Sequence, residues 1–231
     1  MWDALEQPIC QRATMALLHF LWQGAAIAGL LAMTLRLLRR GSAAARYAAS
    51  LAAMVLMVLV PVATFVMLDG ATAPSSAGAL SRLPPSGGNS LVSVAEVVRA
   101  AQPFLLLAWL AGVSLLNLRL FAGYAGTLWL RGRRQPIPRA LAARAGQLAR
   151  HLGVAAGRVF ASARAREVIA VGFWRPAVLL PLAWLTTLPP DVIEAAIAHE
   201  LAHIRRWDLW ANLFQRWAET LLFYHPAVWW V

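Results

Sequence analysis

The chain has 231 residues, of which 60% are hydrophobic and only 13% are charged. Soluble domains carry roughly 45–50% and 25% of such residues, so this composition excludes an ordinary soluble globular domain and a disordered chain. All 21 basic side chains are arginines, and against 10 acids they give a formal net charge of +11. The single cysteine, Cys10, excludes an internal disulfide and a cysteine-based zinc site.

Three apolar runs are long enough to cross a bilayer, which takes about 20 residues. They cover residues 13–35, 47–68 and 104–130, and the one charge within them is Arg119. The first run follows Asp3 and Glu6 and is too long for the apolar core of a signal peptide, so it predicts a retained helix. Residues 1–130 are therefore predicted to form a membrane domain, with the lipid bilayer as a partner.

The arginines predict the orientation of these helices. Four lie in the link between the first two runs and nine lie between residues 131 and 166, whereas residues 69–103 carry two. By the positive-inside rule the arginine-rich segments are cytoplasmic, the N-terminus is outside, and residues 69–103 form an outer loop. Because topology accounts for most of the charge and no recognition motif accompanies it, we expect no direct nucleic-acid binding.

Residues 131–231 have the pattern of a small folded domain. Residues 138–152 show helical spacing, and two short apolar runs at 168–171 and 177–180 predict a strand–turn–strand unit around Gly172. A further helix is predicted to open at Pro189-Pro190-Asp191, because proline and an acid both suit a first helical turn. The sequence thus predicts an α+β domain on the cytoplasmic side.

The helix that opens at Pro190 carries the sequence AIAHELAHI, with His199, Glu200 and His203. At about 100° per residue the two histidines share one face, and Glu200 projects about 100° from His199. Two histidines in this spacing with a glutamate between them are the zincin signature. We therefore expect His199 and His203 to bind Zn²⁺ and Glu200 to act as the catalytic general base.

The third zinc ligand is not evident from the motif. No glycine or proline lies between Ile204 and Glu219, so one continuous helix would carry Glu219 about 24 Å from His203, which disfavours Glu219 as the third ligand without excluding it. On the same helix Asp208 would point about 140° away from His203 and is disfavoured as a ligand as well. Tyr224 and His225 are weaker candidates for stabilising an oxyanion.

Four segments of the chain resemble one protein family: LWQGAAIAGLL at 21–31, VGFWRPAVLLP at 171–181, AIAHELAHIRRWD at 196–208 and LLFYHPAVWW at 221–230. They are similar to the BlaR/MecR-type sensor-transducer metallopeptidases, the β-lactam-sensing antirepressor peptidases among the gluzincin-like zinc proteases. The resemblance covers nearly the whole chain. It implies a mainly α membrane protein, with three N-terminal transmembrane helices and then a small α+β gluzincin-like zinc metallopeptidase domain, truncated at its C-terminus.

The resemblance also implies an activity. A membrane-bound zinc endopeptidase of the bacterial inner membrane would cleave a cytoplasmic protein, such as a transcriptional repressor, or itself, in response to a signal. In the resembled family the third ligand is an acid in a later segment, which would lie beyond Val231. The alternative is a non-catalytic membrane sensor, or a truncated remnant, with an incomplete zinc site.

The last quarter of the chain is rich in tryptophan, with Trp207, Trp210, Trp217, Trp229 and Trp230. Tryptophan is enriched at membrane interfaces, so residues 209–231 are predicted to form a fourth span, a re-entrant segment or a helix on the inner leaflet. Charged Arg216 and Glu219 favour the latter two.

Overall fold

The computed structural model describes residues 8–70, 94–154 and 158–231 of the chain. These residues belong to two compact units, one formed by Met1–Leu115 with Ala218–Val231 and the other by Leu116–Trp217. Of the predicted outer loop at 69–103, residues 71–93 lie outside the described residues.

The described chain is mostly helical and contains one small sheet. In chain order its elements are α1 (Pro8–Leu37), a 3-10 turn (Leu38–Arg40), α2 (Ala43–Gly70), α3 (Val94–Gly132), β1 (Arg134–Pro136), α4 (Arg139–His151), β2 (Arg158–Ser162), β3 (Ile169–Val171), β4 (Ala177–Pro181), α5 (Trp184–Thr187), α6 (Pro190–Arg205), α7 (Asp208–Leu221) and α8 (Pro226–Trp230).

Three helices are long and apolar enough to cross a membrane, judged by length and composition. The stretches concerned are Pro8–Arg40, Ala43–Leu68 and Ala100–Gly132. They coincide with the three apolar runs of the sequence, so the prediction of three candidate spans is confirmed. Within the described part of the chain no fourth helix qualifies, since α7 has 14 residues and α8 has five.

In the first unit, α1 and α2 pack together with the C-terminal segment. Phe20 of α1 and Met57 of α2 have no exposed surface, and Val228 of α8 joins the same buried cluster. A polar contact crosses between the two long helices, where Gln23 Nε2 donates to Thr64 Oγ1 at 3.2 Å. Such side-chain hydrogen bonds hold helices together in an apolar environment, where water cannot compete for them.

The C-terminal segment is anchored on the backbone of α1. The Tyr224 hydroxyl donates to the Leu17 carbonyl at 3.0 Å, and His225 Nε2 lies 2.9 Å from the Leu21 carbonyl oxygen. Gly24 makes room for the imidazole, because a Cβ atom there would lie 2.9 Å from the His225 ring. The chain after α7 therefore folds back onto α1 and does not continue as a separate long helix.

The second unit is built around a four-stranded sheet in the order β1-β2-β4-β3. β3 and β4 pair antiparallel, as the strand–turn–strand pattern predicts, with Ala170 opposite Val178. β2 pairs parallel to β4 and antiparallel to β1, and neither β1 nor β2 stands out in the sequence pattern. Within the described sheet, β3 is therefore an edge strand.

The central strand β4 is buried on both faces. Val178 and Leu180 pack with α4 and α6 through Ala149, Ile197 and other apolar side chains, whereas Leu179 belongs to a separate cluster on the other face. A strand covered on both sides consists of a continuous apolar run, which is what AVLLP shows. Helix α6 is thereby fixed against the sheet.

One sequence-based prediction about α6 is wrong. The continuous helix expected beyond His203 is interrupted, because α6 ends at Arg205 and α7 begins at Asp208. The turn between them places Trp207 at a φ of 61°. Left-handed backbone costs a residue with a side chain roughly 1–2 kcal/mol, so the chain turns here without the glycine that usually accompanies such a break.

Candidate metal centre

Helix α6 has one face buried against the sheet and the motif on its other faces. Ile193, Ile197 and Leu201 recur every four residues and are at most 4% exposed. At about 100° per residue, His199 and His203 fall on the side away from this buried row, and Glu200 falls between the two faces. Packing of the apolar row therefore fixes the direction in which the three polar side chains project.

The structure brings His199, Glu200 and His203 together. One ligand atom from each of them lies within 4.8 Å of the others. The two imidazoles approach through their Nε2 atoms, which are 3.1 Å apart. Two ring nitrogens this close fit either a hydrogen bond, in which one of them carries a proton, or a shared cation that binds the lone pair of each.

Asp208 orients one of the two rings. Its Oδ2 lies 2.6 Å from His203 Nδ1, and its side chain is only 13% exposed. Because a carboxylate can only accept, Nδ1 carries the proton and the lone pair of His203 is on Nε2, the atom that faces His199. The prediction that Asp208 points away from His203 is wrong, because it assumed a helix without the break at Trp207.

Glu200 is held by the edge of the sheet. Its Oε2 accepts a hydrogen bond from the backbone N–H of Ala170 in β3 at 2.9 Å. Ala170 thus directs its N–H away from β4 and toward the motif. This contact ties the glutamate to the open edge strand and restricts the positions that its carboxylate can adopt.

The donor set fits a zinc ion. Two nitrogens bound at about 2.0–2.1 Å to a tetrahedral ion lie about 3.3–3.4 Å apart, close to the observed Nε2 separation. A histidine ligand usually donates its other ring N–H to a carboxylate or carbonyl, as His203 does to Asp208. Among the described residues of Leu116–Trp217, no further His, Cys, Asp or Glu joins the group.

The remaining candidate side chains belong to the first unit. Glu219 is 6% exposed on α7. Tyr224 and His225, considered above for an oxyanion, have backbone carbonyls of α1 as partners. Burial raises the pKa of the Tyr224 phenol far above its ordinary value, so the hydroxyl remains a proton donor to Leu17.

Two elements of the site escaped the sequence analysis. Asp208, the partner of His203, can be seen in the sequence as an acid five residues after that histidine. Its contact with His203, however, depends on a left-handed backbone at Trp207, a residue type that does not predict this conformation. The partner of Glu200 is a backbone amide and has no side-chain signal at all. The first contact requires the turn from α6 into α7, and the second requires α6 to be placed against β3.

The comparison with known proteins agrees with this geometry. A model of the family described as BlaR1 peptidase M56 matches residues 21–231, which begin within the first long helix and include the motif on α6. No curated protein matches the chain significantly. Since the match extends over most of the chain, the protein belongs to the BlaR1 peptidase M56 family, whose members are membrane-associated sensors of the metallopeptidase type.

Proposed function

We propose that the protein is a membrane-bound, zinc-dependent endopeptidase. The observation that carries this proposal is the cluster of His199, Glu200 and His203, with His203 oriented by Asp208 and Glu200 held by β3. His199 and His203 would hold the ion. Zinc bound there would supply a Lewis acid that activates water and polarises a carbonyl.

The acid–base steps fall to Glu200. Its carboxylate lies beside the histidines but on another face of α6. It can therefore accept the proton of an attacking water without itself taking a coordination position on the metal. The same carboxyl group can return that proton to the leaving amine. The Ala170 N–H holds Oε2 and leaves Oε1 for this exchange, since Oε1 has no hydrogen-bond partner among the described residues.

The substrate is proposed to bind as an extended segment along β3. Edge strands offer unpaired backbone groups to which a peptide adds as a further strand. Because the outward N–H of Ala170 is taken by Glu200, a peptide on this edge would pair with the remaining outward backbone groups and pass directly beside the general base. A flexible segment of a protein can adopt this extended form more readily than a folded domain can.

We assign as substrate a cytoplasmic regulator, such as a transcriptional repressor, or the protein itself. Support for this comes from the family and from the arginine-rich segments after α3, which by the positive-inside rule favour a metal centre on the cytoplasmic side of a bacterial inner membrane. In this proposal residues 1–130 form the membrane domain and residues 131–231 the zinc domain.

The test uses the purified full chain loaded with zinc, with β-casein as an unstructured protein substrate and mass spectrometry to detect self-cleavage. Glu200→Gln should lose all cleavage and keep the zinc, because the amide cannot accept a proton yet leaves both histidines in place. Glu194→Gln, on the same helix, removes only a partly exposed ion pair with Arg144 and should cleave like the wild type. Cleavage by the Glu200→Gln variant at the wild-type rate would refute the general-base role.

The alternative is a sensor that binds metal without hydrolysing peptides. The observation that favours it is the lack of a separate third ligand among the described residues of this unit. The group contains two histidines and the proposed base only. Catalytic zinc sites commonly use three protein ligands. A wild-type chain that holds one zinc per protein and cleaves neither β-casein nor itself would establish this alternative.

A further inference from the structure

A cavity of about 530 Å³ opens on the second unit, apart from the metal centre. Its lining combines three arginines with large aromatic rings: Arg158, Arg175, Arg205, Trp174, Trp207 and Trp210. No acidic side chain of the described residues lines it. Within the same described part of the chain none of the three arginines forms an ion pair, so their charges are available to a ligand.

The cavity wall is fastened to the end of a candidate membrane helix. The ring of Phe173 stacks on Tyr124 of α3 at 5.7 Å between centroids and contacts Trp210 at 5.6 Å. Trp174 packs on the same Trp210 ring at 5.1 Å. The cavity is thereby connected through aromatic contacts to the apolar stretch Ala100–Gly132.

A second contact defines where along α3 the turn between β3 and β4 is attached. Arg131 Nη2 donates to the carbonyl of Arg175, in the turn between β3 and β4, at 3.2 Å. Gly172 in this turn has a φ of 93°, and a Cβ atom there would lie 2.8 Å from the Arg131 guanidinium. Tyr124 and Arg131 are separated by about 10 Å along the helix axis. The turn thus lies where the apolar span gives way to arginines, the level at which lipid headgroups begin.

Two tryptophans at the cavity are largely exposed. Trp174 is 86% exposed and Trp207 is 69% exposed. Glycine or asparagine would adopt the left-handed backbone at position 207 with little strain, so the turn alone does not account for an indole there. Exposed indoles beside arginines are typical of a surface that contacts the headgroup region of a bilayer.

We propose that this cavity binds the headgroup of an anionic phospholipid. The guanidinium groups of Arg158, Arg175 and Arg205 receive the phosphate, since arginine suits phosphate oxygens in both charge and geometry. Trp174 and Trp207 lie against the glycerol and upper acyl region. The positive charge, the exposed indoles and the attachment to α3 together favour a lipid over a soluble acidic peptide. This proposal does not rest on the peptidase activity.

The test is native mass spectrometry of the full chain in mild detergent, titrated with phosphatidylglycerol or phosphatidylcholine. We expect tighter binding of phosphatidylglycerol. The double variant Arg158→Gln/Arg175→Gln should bind it roughly 30-fold more weakly, from the loss of two arginines next to an anionic headgroup. The control Arg150→Gln/Arg166→Gln removes the same charge from exposed positions outside the cavity and should bind within about twofold of the wild type.

A variant at the strained turn separates binding from folding. Trp207→Asn should keep the thermal unfolding temperature, because asparagine accepts the left-handed backbone, and should bind phosphatidylglycerol more weakly. Equal loss in the cavity and control double variants, or equal binding of both lipids, would overturn the proposal. Displacement of the lipid by equimolar inorganic phosphate would indicate a free-phosphate site, and displacement by hexaglutamate a peptide site. Either result would also overturn it.

Discussion

Asp208 and His203 are five residues apart, and the contact between them depends on a single backbone conformation. The left-handed Trp207 separates the end of α6 from the start of α7. The turn brings Asp208, the first residue of α7, back against His203 near the end of α6. Asp208 Oδ1 is buried and accepts no hydrogen bond from the described residues, although Arg206 Nε lies 3.7 Å from it. The carboxylate is therefore committed to the imidazole through Oδ2, with a nearby positive charge to balance it.

We predict that Asp208→Asn weakens zinc binding about 10–100-fold, the usual effect of losing a carboxylate behind a histidine ligand. An asparagine amide can still occupy the space, but it no longer stabilises the Nδ1 proton of His203 by charge. The affinity is measured by competition with a chromogenic chelator on the purified full chain. Asp191→Asn, in the exposed first turn of α6, should bind zinc like the wild type. Equal affinity in all three proteins would contradict the orienting role.

At the scale of elements, the C-terminal segment is held by α3 as well as by α1. Trp109 Nε1 of α3 donates to the Leu221 carbonyl at 2.9 Å, where α7 ends. Next to it, the ring of Phe223 fills the space beside Gly112, so close that a Cβ atom there would lie 2.2 Å from Cζ. The absence of a side chain at Gly112 is thus what allows the turn after α7 to approach α3.

We predict that Gly112→Ala destabilises the protein by about 1–3 kcal/mol, because the ring of Phe223 must leave its position to admit a methyl group. Gly123→Ala is the matched control in the same helix, since nothing lies within 4 Å of a Cβ atom there. That control should unfold at the wild-type temperature or slightly above it. The measurement is thermal unfolding in detergent. Identical midpoints for the two alanine variants would show that Phe223 does not need this space.

At the scale of the whole molecule, helices α3 and α7 each run through the boundary between the two compact units. The unit with the metal centre contains the arginine-rich segment after α3, and the other contains the first two candidate spans. The expected orientation in the membrane therefore depends on residues of both units. It is set by where the charges lie relative to the spans.

The orientation can be tested with single cysteines in a Cys10→Ser background. A membrane-impermeant maleimide added to intact bacteria should label Ser90→Cys in the predicted outer loop. It should leave Ala163→Cys, an exposed position in the metal-bearing unit, unlabelled until the cells are permeabilised. Labelling of Ala163→Cys in intact cells, with Ser90→Cys protected, would reverse the proposed topology.

Features that are determined by local sequence patterns could be predicted from the sequence by itself. The three candidate spans follow from uninterrupted apolar runs, and the antiparallel pair of β3 and β4 follows from two such short runs around Gly172. The shared face of His199 and His203 follows from helical geometry over four residues. In each case the determining interactions lie within a few residues of one another, so the local pattern carries them.

Only the tertiary structure decided the features that depend on distant partners. The break at Trp207 opposes the local helical tendency, and the contact of Asp208 with His203 depends on it. The contact of Glu200 with Ala170 depends on the docking of α6 against the sheet. Strand β2 forms beside the buried β4, and β1 forms beside β2, although the residues of β1 and β2 by themselves predict no strand. The physical basis of the strand pairing and of the docking of α6 is packing between segments that are remote in sequence, which no local pattern records.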